Sequence, residues 1–165
     1  MSSGKILDKV KKLRELTGVG FNDCKNAIDE NNGDIEKSIE FLRKKGIAKA
    51  TKRMGRTAAE GLVCIYESNN KFSMIEINSE TDFVAKNKEF INFADEVSQL
   101  ALKVSGKMED ILKSKMKNKK NVEENLIDLV SKIGEKITIR RSAFLGNDKL
   151  LNFSYTHSSI KKNIG

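Results

Sequence analysis

Leu62-Val63-Cys64-Ile65-Tyr66-Glu67 and Phe72-Ser73-Met74-Ile75-Glu76-Ile77 are two β-rich runs on either side of Ser68-Asn69-Asn70-Lys71. Short apolar runs around a polar, turn-forming break predict a hairpin. Just downstream, Asn87 is placed to cap a long helix. Phe90, Phe93, Ala94, Val97, Leu100, Ala101 and Val104 recur there every three or four residues for four turns. A hairpin followed by an amphipathic helix decides the class, because each must bury its apolar face on the other.

Further along, residues 105–122 are lysine-rich and weakly patterned, and read as a mobile, partly helical excursion. Leu126, Val130 and Ile133 mark another helix, ended by Gly134. Ile137 to Phe144 and Leu150 to Tyr155 read as a second hairpin around Gly146-Asn147-Asp148, while residues 158–165 show no pattern. The order β-β-α-α-β-β predicts an α+β core: a small antiparallel or mixed sheet covered by helices on one face.

Upstream, the pattern is helical throughout. Ile6, Leu7, Val10, Leu13 and Leu16 hold helical spacing up to Thr17-Gly18-Val19-Gly20. Asn22 or Asp23 is placed to cap a short helix containing Cys24, Ala27 and Ile28, and Asn31-Asn32-Gly33 breaks it. Asp34 caps a third helix with Ile35, Ile39 and Leu42 on one face, for which Gly46 is a natural stop. The predicted organisation is a three-helix bundle over 1–46, a basic connector over 47–60 and the α+β core over 61–165.

The chain has 165 residues, 31 basic against 23 acidic, a formal charge of +8 and an isoelectric point near 9.4. With 38% hydrophobic residues a packed core is expected. No apolar run approaches the ~18 residues of a membrane span, so no membrane association is expected. The first residues lack the unbroken apolar run of a secretory signal. Cys24 and Cys64 lie far apart and His157 is the lone histidine, which excludes a zinc cluster and argues against a disulfide scaffold. No phosphate-cradling or dinucleotide fingerprint occurs, so neither a catalytic constellation nor a cofactor is expected. The positive charge is spread through 43–56, 103–120 and 161–162 and is not interleaved with aromatics, which make up 6%. A solvated surface is favoured over a specific nucleic-acid face.

One loop stands apart. Ser79-Glu80-Thr81-Asp82-Phe83-Val84-Ala85-Lys86-Asn87 joins a predicted strand to the long helix and sets a large aromatic beside an acid. Either Phe83 folds back into the core while Asp82 caps a turn, or Phe83 is an exposed wedge used on a partner.

The same loop, together with Lys12-Leu13-Arg14-Glu15-Leu16-Thr17-Gly18-Val19-Gly20-Phe21-Asn22-Asp23-Cys24-Lys25, Asn32-Gly33-Asp34, Leu42-Arg43-Lys44-Lys45-Gly46 and Lys132-Ile133-Gly134-Glu135-Lys136-Ile137-Thr138-Ile139-Arg140-Arg141, resembles the elongation factor Ts family. The segments occur in the family's order and span nearly the whole chain. The resemblance implies a ubiquitin-associated-like N-terminal bundle. It also implies guanine-nucleotide exchange on elongation factor Tu, the GTPase that delivers aminoacyl-tRNA, in a bacterial cytoplasm or, if a presequence was removed, an organelle matrix. By resemblance, Arg14 and the loop Val19, Gly20, Phe21, Asn22 dock on the partner's nucleotide-binding domain. Relatives often carry methionines where Phe21 and Asn22 stand. The segment Thr81, Asp82, Phe83, Val84 is the intruding element, Ile133 and Gly134 match a contact near the partner's phosphate loop, and His157 matches a further contact.

An exchange factor must bind the nucleotide-free partner better than the GDP-bound one, and linkage makes GDP weaken its binding by the same ratio. A ~10⁴-fold effect needs about 5.5 kcal/mol, more than one phenylalanine supplies, so the three segments must act together. The match stops just after His157, inside the family's first core half. The chain thus reads as a fragment, or as a short form whose open strand edges invite a homodimer. The alternative function is a basic RNA- or ribosome-associated binding module without exchange activity.

Overall fold

The computed structural model describes residues 3–146, 151–156 and 164–165. Three helices come first: α1 (Ser3–Thr17), α2 (Phe21–Glu30) and α3 (Ile35–Arg53). Val10 and Leu13 of α1 meet Cys24, Ala27 and Ile28 of α2 and Leu42 of α3 in one buried cluster. Asp34 caps α3, its carboxylate accepting the Lys37 N–H at 3.0 Å. The α2 cap differs from expectation. That helix starts at Phe21 behind Gly20 with no side-chain cap, so neither Asn22 nor Asp23 takes the role. Asp23 instead accepts from Lys45 and Lys49 at 2.9 and 2.8 Å, tying α2 to α3. The hydrogen bond from Lys49, then that from Lys45, holds its carboxyl below the ordinary carboxylate range.

The β-rich stretch forms the hairpin β1 (Glu60–Ser68) and β2 (Lys71–Ser79). Asn69 and Asn70 both have positive φ, 51° and 58°, as a two-residue type I′ turn requires. A later strand, β3 (Ile137–Gly146), pairs with β2, and the sheet runs β1-β2-β3, antiparallel throughout. Between β2 and β3 come α4 (Asp82–Ala85), α5 (Lys88–Lys103), α6 (Met108–Lys113) and α7 (Val122–Ile133). Phe90, Phe93, Ala94, Val97 and Ala101 of α5 are buried in the same core as Leu62, Cys64, Ile75, Ile77, Ile137 and Ile139 of the sheet. Asn87 caps α5 as expected, accepting the N–H groups of Glu89 and Phe90 at 2.8 and 3.4 Å. The architecture is α+β.

Three expectations need correction. First, Gly46 does not stop α3, which continues to Arg53. Glycine is needed there for a different reason: α3 lies so close to α7 that a Cβ at Gly46 would stand 2.5 Å from Ser131 Oγ. Helix–helix packing outweighs the ~0.5–1 kcal/mol that glycine costs inside a helix. Second, residues 105–122 are packed. Ile111, Met116 and Val122 are buried, α6 spans part of the stretch, and Lys115 bridges to Asn121. The apolar residues are few, but each reaches the core. Third, residues 151–156 form no strand, and the partner of β3 is β2. Leu151, Phe153 and Tyr155 alternate as a strand would, yet all three are exposed. Period-two spacing signals extended backbone and does not supply a strand to pair with. Asn152 is held to Asn70 at the β1–β2 turn by bonds of 2.8 and 3.0 Å; Asn147, Asp148 and Leu150 lie outside the described residues.

The free side of β1 is partly occupied. Val63 and Gly165 exchange N–H···O bonds of 2.7 and 3.0 Å, and Ile164 is buried in the core. Neither cysteine forms a disulfide, and both are buried. No helix among the described residues is long and apolar enough to cross a membrane.

Candidate functional site

The loop between β2 and α5 turns sharply. Ser79 is buried, and its hydroxyl donates to the Thr81 carbonyl at 3.0 Å. One helical turn, α4, follows. A single turn has two faces: Val84 and Ala85 are buried in the core, which leaves Asp82 and Phe83 outside. Phe83 is 80% exposed, so of the two readings of this loop the outward one is realised. Asp82 accepts from Lys86 one turn on, at 2.7 Å. That hydrogen bond lowers the Asp82 carboxyl below its ordinary range and raises the Lys86 ammonium above its own.

A four-residue helix has too few hydrogen bonds to hold itself, since helix nucleation is unfavourable. Thr81 occupies its N-cap position but makes no capping bond, forgoing a contribution of about 1 kcal/mol. The threonine is used elsewhere. Its N–H donates to Glu135 Oε2 at 3.0 Å and its hydroxyl to Glu135 Oε1 at 2.8 Å. The neighbouring residues reciprocate: the Lys136 N–H donates to Glu80 Oε1 at 2.5 Å. Arg56 reaches the same Glu80 carboxylate at 3.3 and 3.4 Å, and the Lys136 ammonium donates to the Met54 and Arg56 carbonyls, each at 2.7 Å. The Glu80 carboxyl lies below its ordinary range, chiefly through the Lys136 N–H and then the charge of Arg56. The loop carrying Phe83 is thereby clasped to the segment that follows α7.

Gly134 makes the clasp geometrically available. It ends α7 in the left-handed region, φ 89°, with its N–H on the Val130 carbonyl at 3.0 Å. The chain reverses there, and Glu135 and Lys136 come alongside Glu80 and Thr81. Ile133 and Gly134 are partly buried at the same corner. Two of the three segments singled out in the sequence are thus in direct contact.

The third segment lies close to Lys132, near the end of α7. Lys132 pairs with Glu89 in the first turn of α5 at 2.5 Å. Its side chain also fills the space beside Gly18, where a Cβ would meet Cε and Nζ at 2.9 Å. The turn after α1 therefore lies against the corner where α7 ends and α5 begins. Arg14, Gly20 and Asn22 are exposed, Phe21 is 41% exposed, and Val19 is partly buried against the N-terminal cluster. A cleft of about 500 Å³ opens between the units, lined by Thr17, Val19, Gly46, Phe93, Leu129 and Lys132 among others. His157 lies outside the described residues.

Glu135, Lys136, Glu80 and Arg56 were missed as site residues. Glu80 and Glu135 stood inside the quoted segments, but nothing in a sequence shows that carboxylates 55 positions apart will exchange partners. Much of the basic stretch 43–56 is locally neutralised: Arg43 faces Glu124 at 3.9 Å, Lys44 faces Glu40 at 3.2 Å, Lys45 and Lys49 share Asp23, and Arg56 faces Glu80.

Comparison with known proteins agrees with these segments. The family described as Elongation factor TS matches residues 80–165, from the clasp to the β1-pairing end. Elongation factor Ts of Methylorubrum populi is 45% identical over 157 residues, covering 94% of this chain and 51% of that relative. Elongation factor Ts of Nitrobacter hamburgensis is 46% identical over 151 residues, covering 92% and 49%. The protein of the same name in Gluconobacter oxydans is 41% identical over 156 residues, covering 94% and 52%. The chain spans about half the length of these curated relatives. With the family match taking in more than half of its residues, and with the Thr81–Phe83 and Gly134 segments clasped together within that match, the chain belongs to the elongation factor Ts family.

Proposed function

We propose that this chain is a guanine-nucleotide exchange factor that acts on elongation factor Tu in the cytoplasm during translation elongation. The observation that carries the reading is the 80% exposure of Phe83 on a one-turn helix that is itself anchored through Val84, Ala85 and Glu135. An exposed aromatic on a held base keeps its apolar surface for another protein. GDP is gripped by backbone donors around its phosphates and by Mg²⁺, which demands near-ideal octahedral geometry. A phenyl ring inserted against a helix of the partner disturbs that arrangement without touching the nucleotide. Asp82 flanks the ring as a hydrogen-bonding carboxylate.

Arg14, Val19, Gly20, Phe21 and Asn22 dock the helical unit, 1–46, on the partner's nucleotide-binding domain. The connector, 47–60, joins it to the core, 61–165, whose Ile133–Gly134 corner and His157 add further contacts. The chain itself breaks no bond. The cell's GTP excess sets the direction, and the factor supplies differential binding of the nucleotide-free state.

Stopped-flow release of labelled GDP from elongation factor Tu tests the proposal, with the chain added at increasing concentration. A saturable acceleration, together with a 1:1 or 2:2 complex on sizing that excludes GDP, is expected. Unchanged release combined with RNA affinity of steep salt dependence would instead make the chain a basic ribosome-associated module.

A further inference from the structure

The N-cap threonine of α4 gives its hydroxyl away from its own helix, to Glu135, and the same carboxylate takes the Thr81 backbone N–H. Both oxygens of Glu135 are therefore committed to the residue two positions before Phe83. Glu80, one position earlier, is committed in turn to the Lys136 backbone N–H. The clasp crosses from the end of β2 to the reversal after α7 and fixes the start of a turn too short to fix itself. Beyond the clasp, the turn is held by the Ser79 hydroxyl on the Thr81 carbonyl and by the buried Val84 and Ala85, and apolar contacts allow a rotation that paired hydrogen bonds do not.

We propose that Glu135 is a positioning residue for the Phe83 wedge: it sets the direction of the phenyl ring and couples it to the Ile133–Gly134 corner, so that both engage the partner together. The inference rests on the exchange reading for its kinetic consequence, but the clasp itself is testable in the chain alone. Glu135 accepts both of its bonds in the clasp from Thr81. It acts through Thr81.

Two measurements on the full chain test it, with Glu135→Ala, Glu135→Gln and Thr81→Val. In the chain alone, amide hydrogen exchange of Thr81, which donates to Glu135, and of Lys86, which donates to the Asp82 carbonyl, should quicken at least tenfold in Glu135→Ala, while Phe90 to Val97 of α5 keep their protection. In GDP release from elongation factor Tu, the maximal rate should fall about tenfold with the half-saturating concentration within twofold of the parent. Glu135→Gln keeps one carbonyl oxygen for the Thr81 hydroxyl and should recover at least a third of the parent rate. Thr81→Val should lose the same step from the other side, and the double variant Thr81→Val/Glu135→Ala should be no slower than the worse single. Unchanged Thr81 protection in Glu135→Ala overturns the proposal. So does a loss confined to the half-saturating concentration, or a collapse of α5 protection alongside the rate, which would make Glu135 a general structural residue. If the parent does not accelerate GDP release from elongation factor Tu, the exchange reading fails, and the hydrogen-exchange arm still decides the clasp.

Discussion

Replacing Phe83 by alanine separates the two roles an aromatic side chain can have. A phenylalanine presents about 200 Å² of surface, and with four-fifths of the residue exposed roughly 160 Å² is available to a partner. Buried completely, that area is worth about 4 kcal/mol at 25 cal/mol per Å², and alanine retains about a quarter of it. The ceiling on the loss is therefore about 3 kcal/mol, near 150-fold in rate. The fold loses far less. Only about 40 Å² of the ring is covered at home, worth about 1 kcal/mol, or roughly 2–4 °C in Tm for a chain of this length. Stopped-flow release of labelled GDP from elongation factor Tu and calorimetry of the free chain read the two quantities. Phe83→Ala should cut the maximal release rate between tenfold and 150-fold, raise the half-saturating concentration by less, and lower Tm by no more than about 4 °C. A release rate within twofold of the parent would show that the ring is not the wedge. A drop of 8 °C or more would show that the ring stabilises its own fold.

Other perturbations probe the scaffold. Gly46→Val should destabilise by about 1–3 kcal/mol, because its side chain meets Ser131 across the α3–α7 seam, and denaturant melts should report it. Asn87→Ala removes the α5 cap and should cost about 1 kcal/mol in the same melts. Asp23→Asn should destabilise the N-terminal helices by up to about 1 kcal/mol at neutral pH. The folded Asp23 carboxyl lies below its unfolded value, so its contribution is full above the unfolded pKa and fades as pH falls through the folded one. Melting curves of parent and variant should therefore converge in strong acid; a difference persisting there would assign the effect to something other than the ion pair.

The long helix and the hairpin were legible because their signals are local. The α5 apolar positions repeat within the helix, Asn87 caps three residues away, and Asn69-Asn70 needs only its own backbone to turn. Gly46 was misread for the opposite reason: its environment is Ser131, 85 residues downstream, and a glycine alone does not reveal whether a turn or a close neighbour requires it. The buried set at Ile111, Met116 and Val122 was overlooked because isolated apolar residues among lysines carry no period. Within the site, the loop was found but its orientation was open. Burial of Val84 and Ala85 decided it, and that depends on a core assembled from distant strands and helices. The Thr81–Glu135 bonds are non-local in the same sense.

Because α3 runs unbroken from Ile35 to Arg53, the helical unit is mounted on a single rod about 28 Å long, not on a tether. Its bearing then obeys the arithmetic of the screw. One residue inserted between Gly46 and Arg53 would swing everything upstream by about 100°, carrying Phe21 and Arg14 to another quarter of the circumference, whereas seven inserted residues would nearly restore the angle while moving the unit outward by about 10 Å. The spacing of this rod is a setting that fixes the bearing of Phe21 and Arg14 relative to Phe83.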